Sequence, residues 1–510
     1  MKTLLTTFII MMVGITSLLA GTGRPIQFMN PNQFKNSSNT ADYYPSGFSK
    51  PVILYQIALV YKTNYLYLTN IVNQTNTFSV TNYTQVTSHV TITNIVSVTN
   101  NPASSSTNYV VASSGSYNDV SYAITVAQTT GAPTVWIPGG TNVWSQGPLV
   151  DAGISLLCSN TCSILFNTNS STGFYLSAQG QFVTISNFVF DVNPTNGPTG
   201  SVIDIDGSNV CFRITHCTLM QPSTALTPYN GTTPSGIHCG AALSYPNSIN
   251  TDGPFGLFDH CNFYFPGGYV SDYLNVQCNG QVTGYCWQKP NSWGTTNNVV
   301  IENCNFSSPT NNHSFNSSVV DGWGGLRVVL RYCNITNIVE TVHGVNSGAP
   351  GVAQGSLELE MYENNWVFNE NNPNNFNILL WIRGGSCYFW SNNIINAMGA
   401  GQFGINAWGH FSVECASTTI YDPSYCPALL TYPANYPASE QVGQGILTNY
   451  VHSYQPICIW SNSWPNVGYN NFYLGTDSGD SPFIKQGIDI FTNTPPVSYT
   501  PLQYPHPLNN

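Results

Sequence analysis

Apolar and polar residues alternate with a period of six between positions 63 and 100. Thr-Asn pairs begin at positions 63, 69, 75, 81, 93 and 99, and a Thr-Ser pair begins at 87. The second and fourth places between pairs are mostly apolar, as at Leu66 and Leu68. Because six is even, these side chains share one face of an extended chain. The pattern predicts a small β-solenoid, a strand pairing along another surface, an oligomeric stalk that mediates self-association, or a low-complexity linker.

A helical pattern follows after Val111. Val120, Ile124 and Ala127 recur at helical spacing within SYNDVSYAITVAQ and predict a short amphipathic helix. The next residues, APTVWIPGG, predict a strand followed by a turn.

A looser repeat then runs from Ile185 to Trp464. Its unit reads aliphatic or aromatic, any, polar, Cys or Asn, polar, apolar. It occurs as ISNFVF from Ile185, ITHCTL from Ile214, FDHCNF from Phe258, IENCNF from Ile301, LRYCNI from Leu330, MYENNW from Met361, FWSNNI from Phe389 and IWSNSW from Ile459. Short β-rich units at such intervals predict the coils of a solenoid, with loops in the longer gaps.

Equivalent positions on successive coils stack about 4.7–4.9 Å apart, so each place in the unit forms a column. The fourth place holds Phe188, Cys217, Cys261, Cys304, Cys333, Asn364, Asn392 and Asn462. We interpret the thiols and amides as buried side-chain ladders, and no metal site is predicted because the CxxC spacing of metal-binding cysteines is absent.

The composition argues against two classes of binding partner. Only 6% of the residues are charged, and 11 Lys and Arg against 22 Asp and Glu give a net charge of -11. So few basic residues argue against nucleic acid and against an anionic membrane surface as partners.

The N-terminus suggests export. MKTLLTTFIIMMVGITSLLAG predicts a secretory signal peptide over residues 1–20, with an uncleaved anchor as the minor alternative. Fourteen cysteines after such a signal indicate an oxidising compartment and a secreted or cell-surface protein. Close pairs suggest disulfides between Cys158 and Cys162, Cys278 and Cys286, and Cys415 and Cys426.

The helix followed by TVWIPGG, the repeated units and the tail GYNNFYLGTDSG...FIKQGIDIF...YTPLQYPHPL resemble secreted bacterial right-handed parallel β-helix proteins of the pectate-lyase-like superfamily. The resemblance covers roughly residues 111–510. It implies an all-β fold with a capping helix, and a protein that binds or cleaves polysaccharide, or a structural adhesin. The expected organisation is a signal peptide (1–20), a Thr/Asn-rich segment (21–110), a β-helix (111–475) and a C-terminal tail packed on it (476–510).

The second place in each unit should point outward. It holds Ser186, Thr215, Asp259, Glu302, Arg331, Tyr362, Trp390 and Trp460. Sugar rings stack on aromatic faces, and their hydroxyls and carboxylates pair with acids and arginine. We therefore expect a glycan-binding groove, with a solvated or loop-covered strand face as the alternative.

A second column is flanked by glycine. Aligning VVDGWGG, TVHG and WIRGG stacks Asp321, His343 and Arg383 on successive coils, and AWG would add Trp408. Asp321 could orient His343 as a general acid or base, and Arg383 could bind a substrate anion. Arg331 and Glu340 are secondary catalytic candidates. The alternative is a hydrogen-bonded pair that stabilises a turn.

Comparison with superfamily members favours one chemistry over another. Polygalacturonase-like enzymes carry three aspartates including an adjacent pair, whereas IDID here offers only Asp204 and Asp206. Pectate lyases use calcium and a basic residue, and Asp259 with Glu302 is the acidic pair on neighbouring outward positions. The resemblance thus favours β-elimination over hydrolysis, with no cofactor required and calcium as an open alternative. A non-catalytic appendage or adhesin is the competing hypothesis.

Overall fold

The computed structural model describes residues 67–71, 78–81, 108–166, 173–192, 201–207, 209–220, 237–240, 253–264, 272–277, 287, 289–308, 318–323, 325–342, 356–368, 378–396, 404–407, 436–437, 441–448, 451–463, 473–475 and 484–509. The chain divides into two compact units, residues 1–105 and 106–510. In this described part of the chain, no helix has both the length and the apolar character needed to cross a membrane. The signal peptide at 1–20 lies outside the described residues, and the finer domain boundaries stay predictions.

The first unit contributes one described pair of strands, β1 (Tyr67–Ile71) and β2 (Phe78–Thr81). They pair antiparallel, with Leu68 opposite Val80. Both strands lie inside the six-residue repeat, whose extended conformation is therefore present here. The rest of the repeat lies outside the described residues, and its role in self-association stays a prediction.

The second unit begins with β3 (Val110–Val111) and one α-helix, α1 (Tyr117–Thr130). The Ser116 hydroxyl accepts a hydrogen bond from the Asp119 amide at the start of the helix, and Gly131 ends it in the left-handed conformation at φ 72°. Val120, Ile124 and Ala127 are buried, which confirms the helix predicted from their spacing.

Parallel strands make up most of the remainder. They are β4 (Thr134–Ile137), β5 (Gly140–Trp144), β6 (Leu149–Val150), β7 (Ser155–Phe166), β8 (Phe174–Leu176), β9 (Phe182–Val192), β10 (Ile203–Asp206), β11 (Cys211–Thr215), β12 (Thr218–Met220), β13 (Ile237–Gly240), β14 (Phe255–Asp259), β15 (Asn262–Tyr264), β16 (Asp272–Gln277), β17 (Val299–Glu302), β18 (Asn305–Ser307), β19 (Ser318–Trp323), β20 (Arg327–Arg331), β21 (Asn334–Thr336) and β22 (Glu340–Val342). They continue as β23 (Glu358–Tyr362), β24 (Asn365–Phe368), β25 (Ile378–Ile382), β26 (Ser386–Trp390), β27 (Asn393–Asn396), β28 (Gly404–Ala407), β29 (Gln444–Thr448), β30 (Val451–Tyr454), β31 (Ile457–Trp460), β32 (Tyr473–Gly475) and β33 (Ile490–Thr492). A short 3-10 helix covers Pro507–Asn509, and β29 and β30 are the exception because they pair antiparallel.

Three parallel sheets run along the second unit. The main sheet has 19 strands, the second holds β6, β8, β10, β13, β16 and β19, and the third holds β22, β25, β28 and β32. Successive coils add one strand to each position, as β14, β15 and β16 precede β17, β18 and β19. The described chain is therefore mostly β, with one helix and a large parallel sheet, an arrangement consistent with a β-solenoid.

The predicted repeat matches the strand register. Ile214 lies opposite both Ile185 and Phe258, Leu330 opposite Met361, and Phe389 opposite Ile459. The residue in the third place of every unit has a positive φ of 51–66°, and eight non-glycine residues occupy it: Asn187, His216, His260, Asn303, Tyr332, Glu363, Ser391 and Ser461. In the units from His216 to Ser391 this left-handed residue turns the chain between two strands, whereas Asn187 lies within the single strand β9.

The inner ladder, which comprises Cys217, Cys261, Cys304, Cys333, Asn364, Asn392 and Asn462, is also as predicted. The four cysteines are free and buried. The Asn364 side-chain amide donates to Asn392 Oδ1 at 3.0 Å, and that of Asn392 donates to Asn462 Oδ1 at 3.0 Å. Each amide also donates to a backbone carbonyl, for example Asn392 to Met361 O at 3.0 Å. The ladder therefore satisfies its own polar groups inside the core.

The predicted disulfide between Cys158 and Cys162 is absent. Both side chains are buried thiols of the same strand, β7, and they are not bonded to each other. The side-chain hydrogen bond between them, together with burial, raises the pKa of Cys158. The other two predicted pairs, Cys278 with Cys286 and Cys415 with Cys426, lie outside the described residues.

Candidate functional site

The outer row comprises Thr215, Asp259, Glu302, Arg331, Tyr362, Trp390 and Trp460, with Ser186 at its start. Strand register aligns all of them as predicted, since Glu302 lies opposite Asp259 and Arg331, and Trp390 lies opposite Tyr362 and Trp460. The predicted open groove is nevertheless wrong for the charged half of the row. Asp259, Glu302 and Arg331 are 0% exposed. The physical reason is that residues 499–509, the terminal segment, pack across this face.

Arg331 lies at the centre of this covered face. Its Nε and Nη2 donate to Glu302 Oε2 at 3.0 and 2.6 Å, and its Nη1 donates to the Tyr362 hydroxyl at 3.0 Å. The carbonyls of Leu502 and Gln503 accept the other two hydrogen bonds, at 2.5 and 3.0 Å. Burial opposes the charged guanidinium, but Tyr362 and Glu302 outweigh it, so the pKa of Arg331 is raised. Five bonds match the five N–H groups of a guanidinium, so binding a substrate anion would require displacing the terminal segment.

The terminal segment is tied to the acids as well. The His506 amide donates to Glu302 Oε1 at 3.1 Å, and the Asn509 side chain donates to the same oxygen at 3.1 Å. Arg213 donates to both Asp259 oxygens at 2.9 and 3.0 Å and to Asn509 Oδ1 at 2.8 Å. Asp259 and Glu302 are thus each paired with an arginine, and a calcium ion between them would have to replace these bonds.

A second pair of acids, Glu358 and Glu360, lies on the same face of β23. The Ser292 amide and hydroxyl donate to Glu358 Oε2 at 2.9 and 2.8 Å. Glu360 accepts from the Gly294 amide at 2.8 Å and from the Tyr499 hydroxyl at 2.5 Å. Burial raises the pKa of Glu360 to about 7, and burial also raises the pKa of Glu358. Neither residue was predicted from the sequence, although alternation from Tyr362 along β23 places both on its outward face.

The aromatic half of the row is stacked on itself. The rings of Tyr362 and Trp390 are 4.6 Å apart at 12°, and those of Trp390 and Trp460 are 5.6 Å apart at 11°. Tyr499 packs edge-on against Trp390 at 6.4 Å and against Trp460 at 6.1 Å. Tyr362 is buried, whereas Trp390 and Trp460 are half-buried. Because the rings contact one another face to face, the row offers a glycan mainly ring edges. Trp408 lies outside the described residues.

Of the predicted glycine column, Asp321 lies two residues before the end of β19, and Arg383 directly follows β25. Asp321 is buried on β19, and its Oδ1 accepts from the Gly322 amide at 2.7 Å. On the other side, β22 pairs with β25 so that Val342 lies opposite Ile382, and Arg383 donates from Nε to Val342 O at 2.9 Å. Position 343 follows Val342 directly, but His343 lies outside the described residues.

Between β19 and β22 the backbone pairing is interrupted. Ser318 forms a parallel bridge with Val339. If this register is extended by three residues along both chains, Asp321 lies opposite Val342 and not opposite position 343. Glu340 is fully buried here, and its Oε2 accepts from the Val320 amide at 3.2 Å and from the Ser318 hydroxyl at 3.3 Å. The secondary candidate Glu340 therefore joins two coils. Asp321 lies at the same end of its strand as Arg383, one residue out of the predicted register.

No protein-family model matches the chain, and no curated protein does. Three solved structures show a distant likeness. The Streptococcus pneumoniae surface protein and adhesin PfbA is 12% identical at a TM-score of 0.34, covering 57% of this chain and 89% of its own. A Paenibacillus alginate lyase is 11% identical at a TM-score of 0.27, covering 59% and 94%. The catalytic domain of a GH87 alpha-1,3-glucanase in complex with tetrasaccharides is 12% identical at a TM-score of 0.24, covering 79% and 70%. At identities and TM-scores this low, the likeness assigns neither a family nor an activity to this chain.

Proposed function

We propose that the protein is a secreted right-handed parallel β-helix that binds an extracellular anionic polysaccharide and cleaves it by β-elimination. The observation that carries this proposal is the position of Arg383 at the end of β25, in contact with the strand that leads into His343. This reaction requires a cation for the carboxylate and a base, which Arg383 and the residue that follows Val342 in the sequence would supply.

The chemistry assigns each residue a role. In β-elimination a base removes the proton next to a uronate carboxylate, the freed electron pair forms a carbon–carbon double bond, and the glycosidic oxygen leaves from the neighbouring carbon and takes up a proton from the base or from water. Arg383 would bind the carboxylate and stabilise the charge that develops on it. His343 would take the proton as general base, and Asp321 would act as a positioning residue for the imidazole. Arg331 and Glu340 are given no role in this proposal, because Arg331 donates to the buried Glu302 and Glu340 accepts from the Val320 amide.

An assay of the full chain tests this function. Elimination creates a double bond conjugated to the carboxylate, so a panel of uronate polysaccharides should yield products absorbing at about 235 nm. We expect His343→Ala and Arg383→Ala to lower the rate by about 100-fold or more. Tyr264→Ala, at an exposed site on the main sheet, serves as the control variant and should keep full activity. Activity that survives His343→Ala would contradict the assigned base.

A non-catalytic surface protein is the second candidate. The observation that favours it is the pairing of charges within the protein: Asp259 pairs with Arg213, and Glu302 pairs with Arg331. Such a protein would bind glycan without producing absorbing products, and Trp460→Ala would weaken binding because Trp460 is half-buried at one end of the aromatic stack. Binding without turnover across the whole panel, for wild type and Tyr264→Ala alike, would select this candidate.

A further inference from the structure

Two histidines form an exposed pair on neighbouring coils. His216 and His260 occupy the same left-handed turn position, with φ of 53° and 54°. Their rings stack 4.9 Å apart at 5°, and both residues are exposed at the surface. The outward row of acids and aromatics does not include them, and the proposed elimination reaction does not use them.

A buried carboxylate lies behind the pair. Asp259 is 0% exposed, and its Oδ2 lies 2.9 Å from His260 Nδ1 and 2.8 Å from the Thr215 hydroxyl. The Thr215 hydroxyl in turn lies 2.8 Å from His216 Nδ1. Arg213 pairs with the same carboxylate, so the cluster consists of two residues of β11, the last residue of β14 and the turn residue that follows each of these strands.

These contacts define where the imidazole protons sit. An ionised carboxylate only accepts, so His260 Nδ1 must carry the proton that it shares with Asp259. The single hydroxyl proton of Thr215 is donated to Asp259, so that hydroxyl accepts from His216 Nδ1. In the neutral tautomer that these contacts select, each ring has an unprotonated Nε2 whose lone pair can bind a metal ion.

We propose that His216 and His260 bind a divalent transition-metal ion such as Zn²⁺, Ni²⁺ or Cu²⁺ through their Nε2 atoms. One potential ligand atom from each of His216, Asp259 and His260 lies within 4.8 Å of the other two, and the two ring centroids are 4.9 Å apart. Two nitrogens on one tetrahedral ion are about 3.4 Å apart, and the lone pairs of parallel rings do not converge, so both exposed rings must rotate out of the stack to bind one ion. Asp259 serves as the carboxylate behind a metal-bound histidine, which orients the ring and increases its basicity.

The choice of metal follows from the ligands. Imidazole nitrogen suits zinc, copper and nickel, whereas calcium and magnesium prefer oxygen. The Asp259 carboxylate is already occupied by Arg213, Thr215 and His260, so it offers little to a hard cation. Water would complete the coordination shell on the exposed side.

The chain itself supplies suitable replacement residues. Asn187 and Asn303 occupy the same turn position on neighbouring coils, with φ of 66° and 55°. His216→Asn and His260→Asn therefore keep the backbone conformation while removing the ring nitrogens. The control variant must change the same turn position without adding or removing a metal ligand. Asn303→Ser meets this requirement, whereas Asn303→His would add a ligand.

Calorimetric titration of the full chain with Ni²⁺ tests the site, after EDTA treatment and with melting temperatures compared. We expect one binding event that is lost in the double variant, retained in Asn303→Ser, and weakened by about tenfold or more in each single variant. Thr215→Val should also weaken it, by about tenfold, because His216 loses its orienting acceptor. Equal stoichiometry and affinity for Ni²⁺ in wild type and the double variant would overturn the proposal. It would also be overturned if Mg²⁺ bound to wild type and lost affinity in the double variant to the same extent as Ni²⁺.

A second measurement uses only the unaltered protein. Diethyl pyrocarbonate modifies free imidazoles, and peptide mass spectrometry locates the adducts. Added Zn²⁺ should protect His216 and His260 together. Modification of both rings at unchanged rates in saturating Zn²⁺ would contradict the proposal even if the variants fail to fold.

Discussion

The inward and outward faces of the same strands satisfy their polar groups in opposite ways. On the inward face, the amides of Asn364, Asn392 and Asn462 bond to their neighbours one coil away. On the outward face, Arg331 and Glu302 depend on Leu502, Gln503 and His506, about two hundred positions further along the chain. The inner face is built by repetition, and the outer face by a single segment that returns to cover it.

The two faces differ in the free energy that desolvation costs. A buried amide ladder carries no net charge, and each added coil supplies its own partner. The outer face buries a guanidinium and several carboxylates, and a hydrophobic group of Leu257, Val300, Val329 and Tyr362 lies beside them under Leu502. The stability of the outer face therefore depends on the terminal segment remaining packed across it.

The largest predicted effect comes from breaking the outer ion pair. Arg331→Met leaves Glu302 buried without its counterion and should lower the free energy of unfolding by about 3–5 kcal/mol. Urea denaturation measures the loss. The double variant Arg331→Met with Glu302→Gln should recover part of it, because neither of the two positions then carries a buried charge. A loss in the single variant no larger than in the double would show that the pair is not the cause.

An intermediate effect should follow from interrupting the inner ladder. Asn392→Ala removes the acceptor of the Asn364 backbone and side-chain amides and should cost about 2–3 kcal/mol. The matched control is Asn365→Ala, in the exposed row where Asn365 donates to Asn334 at 3.1 Å, and it should cost less than about 0.5 kcal/mol. Similar losses at the two asparagines would mean that burial does not distinguish the rows.

The smallest predicted effect is a change in pH dependence. Because the folded state raises the pKa of Glu360 to about 7, its contribution to stability is fully present below the ordinary glutamate range and is lost as pH rises through 7. Glu360→Gln should retain the contacts with Tyr499 and Gly294 while removing this loss. Melting temperatures of wild type and variant between pH 5 and 8 should therefore converge at low pH and separate at high pH. Parallel curves would contradict the assignment.

Much of the fold could be predicted because coils repeat. The unit starting at Ile185 and its later copies specify which residues lie opposite one another, and the strand register confirms them. The left-handed residue in each unit was not predicted, because Tyr332 and Glu363 rarely adopt that conformation and their residue types give no signal for it. A Cys158–Cys162 disulfide was wrongly predicted, because spacing alone does not show that both cysteines lie on one extended strand, β7.

The candidate site was less predictable. The outward direction of Glu302, Arg331 and Tyr362 follows from alternation, but their burial does not. The glycine column needed three strands to be aligned across unequal loops, and the buried Glu340 interrupts the pairing that the alignment assumed. His216 and His260 look unrelated in the sequence, although the repeat places both in the same turn position.

The sequence alone therefore determined the coil repeat, the inner ladder and the direction of each side chain, because a constant local period and strand alternation encode them. Only the tertiary structure decided which outward residues meet solvent. The physical reason is that covering the outer face requires a contact between Arg331 and residues 502–503, and no local period relates positions so far apart in the chain.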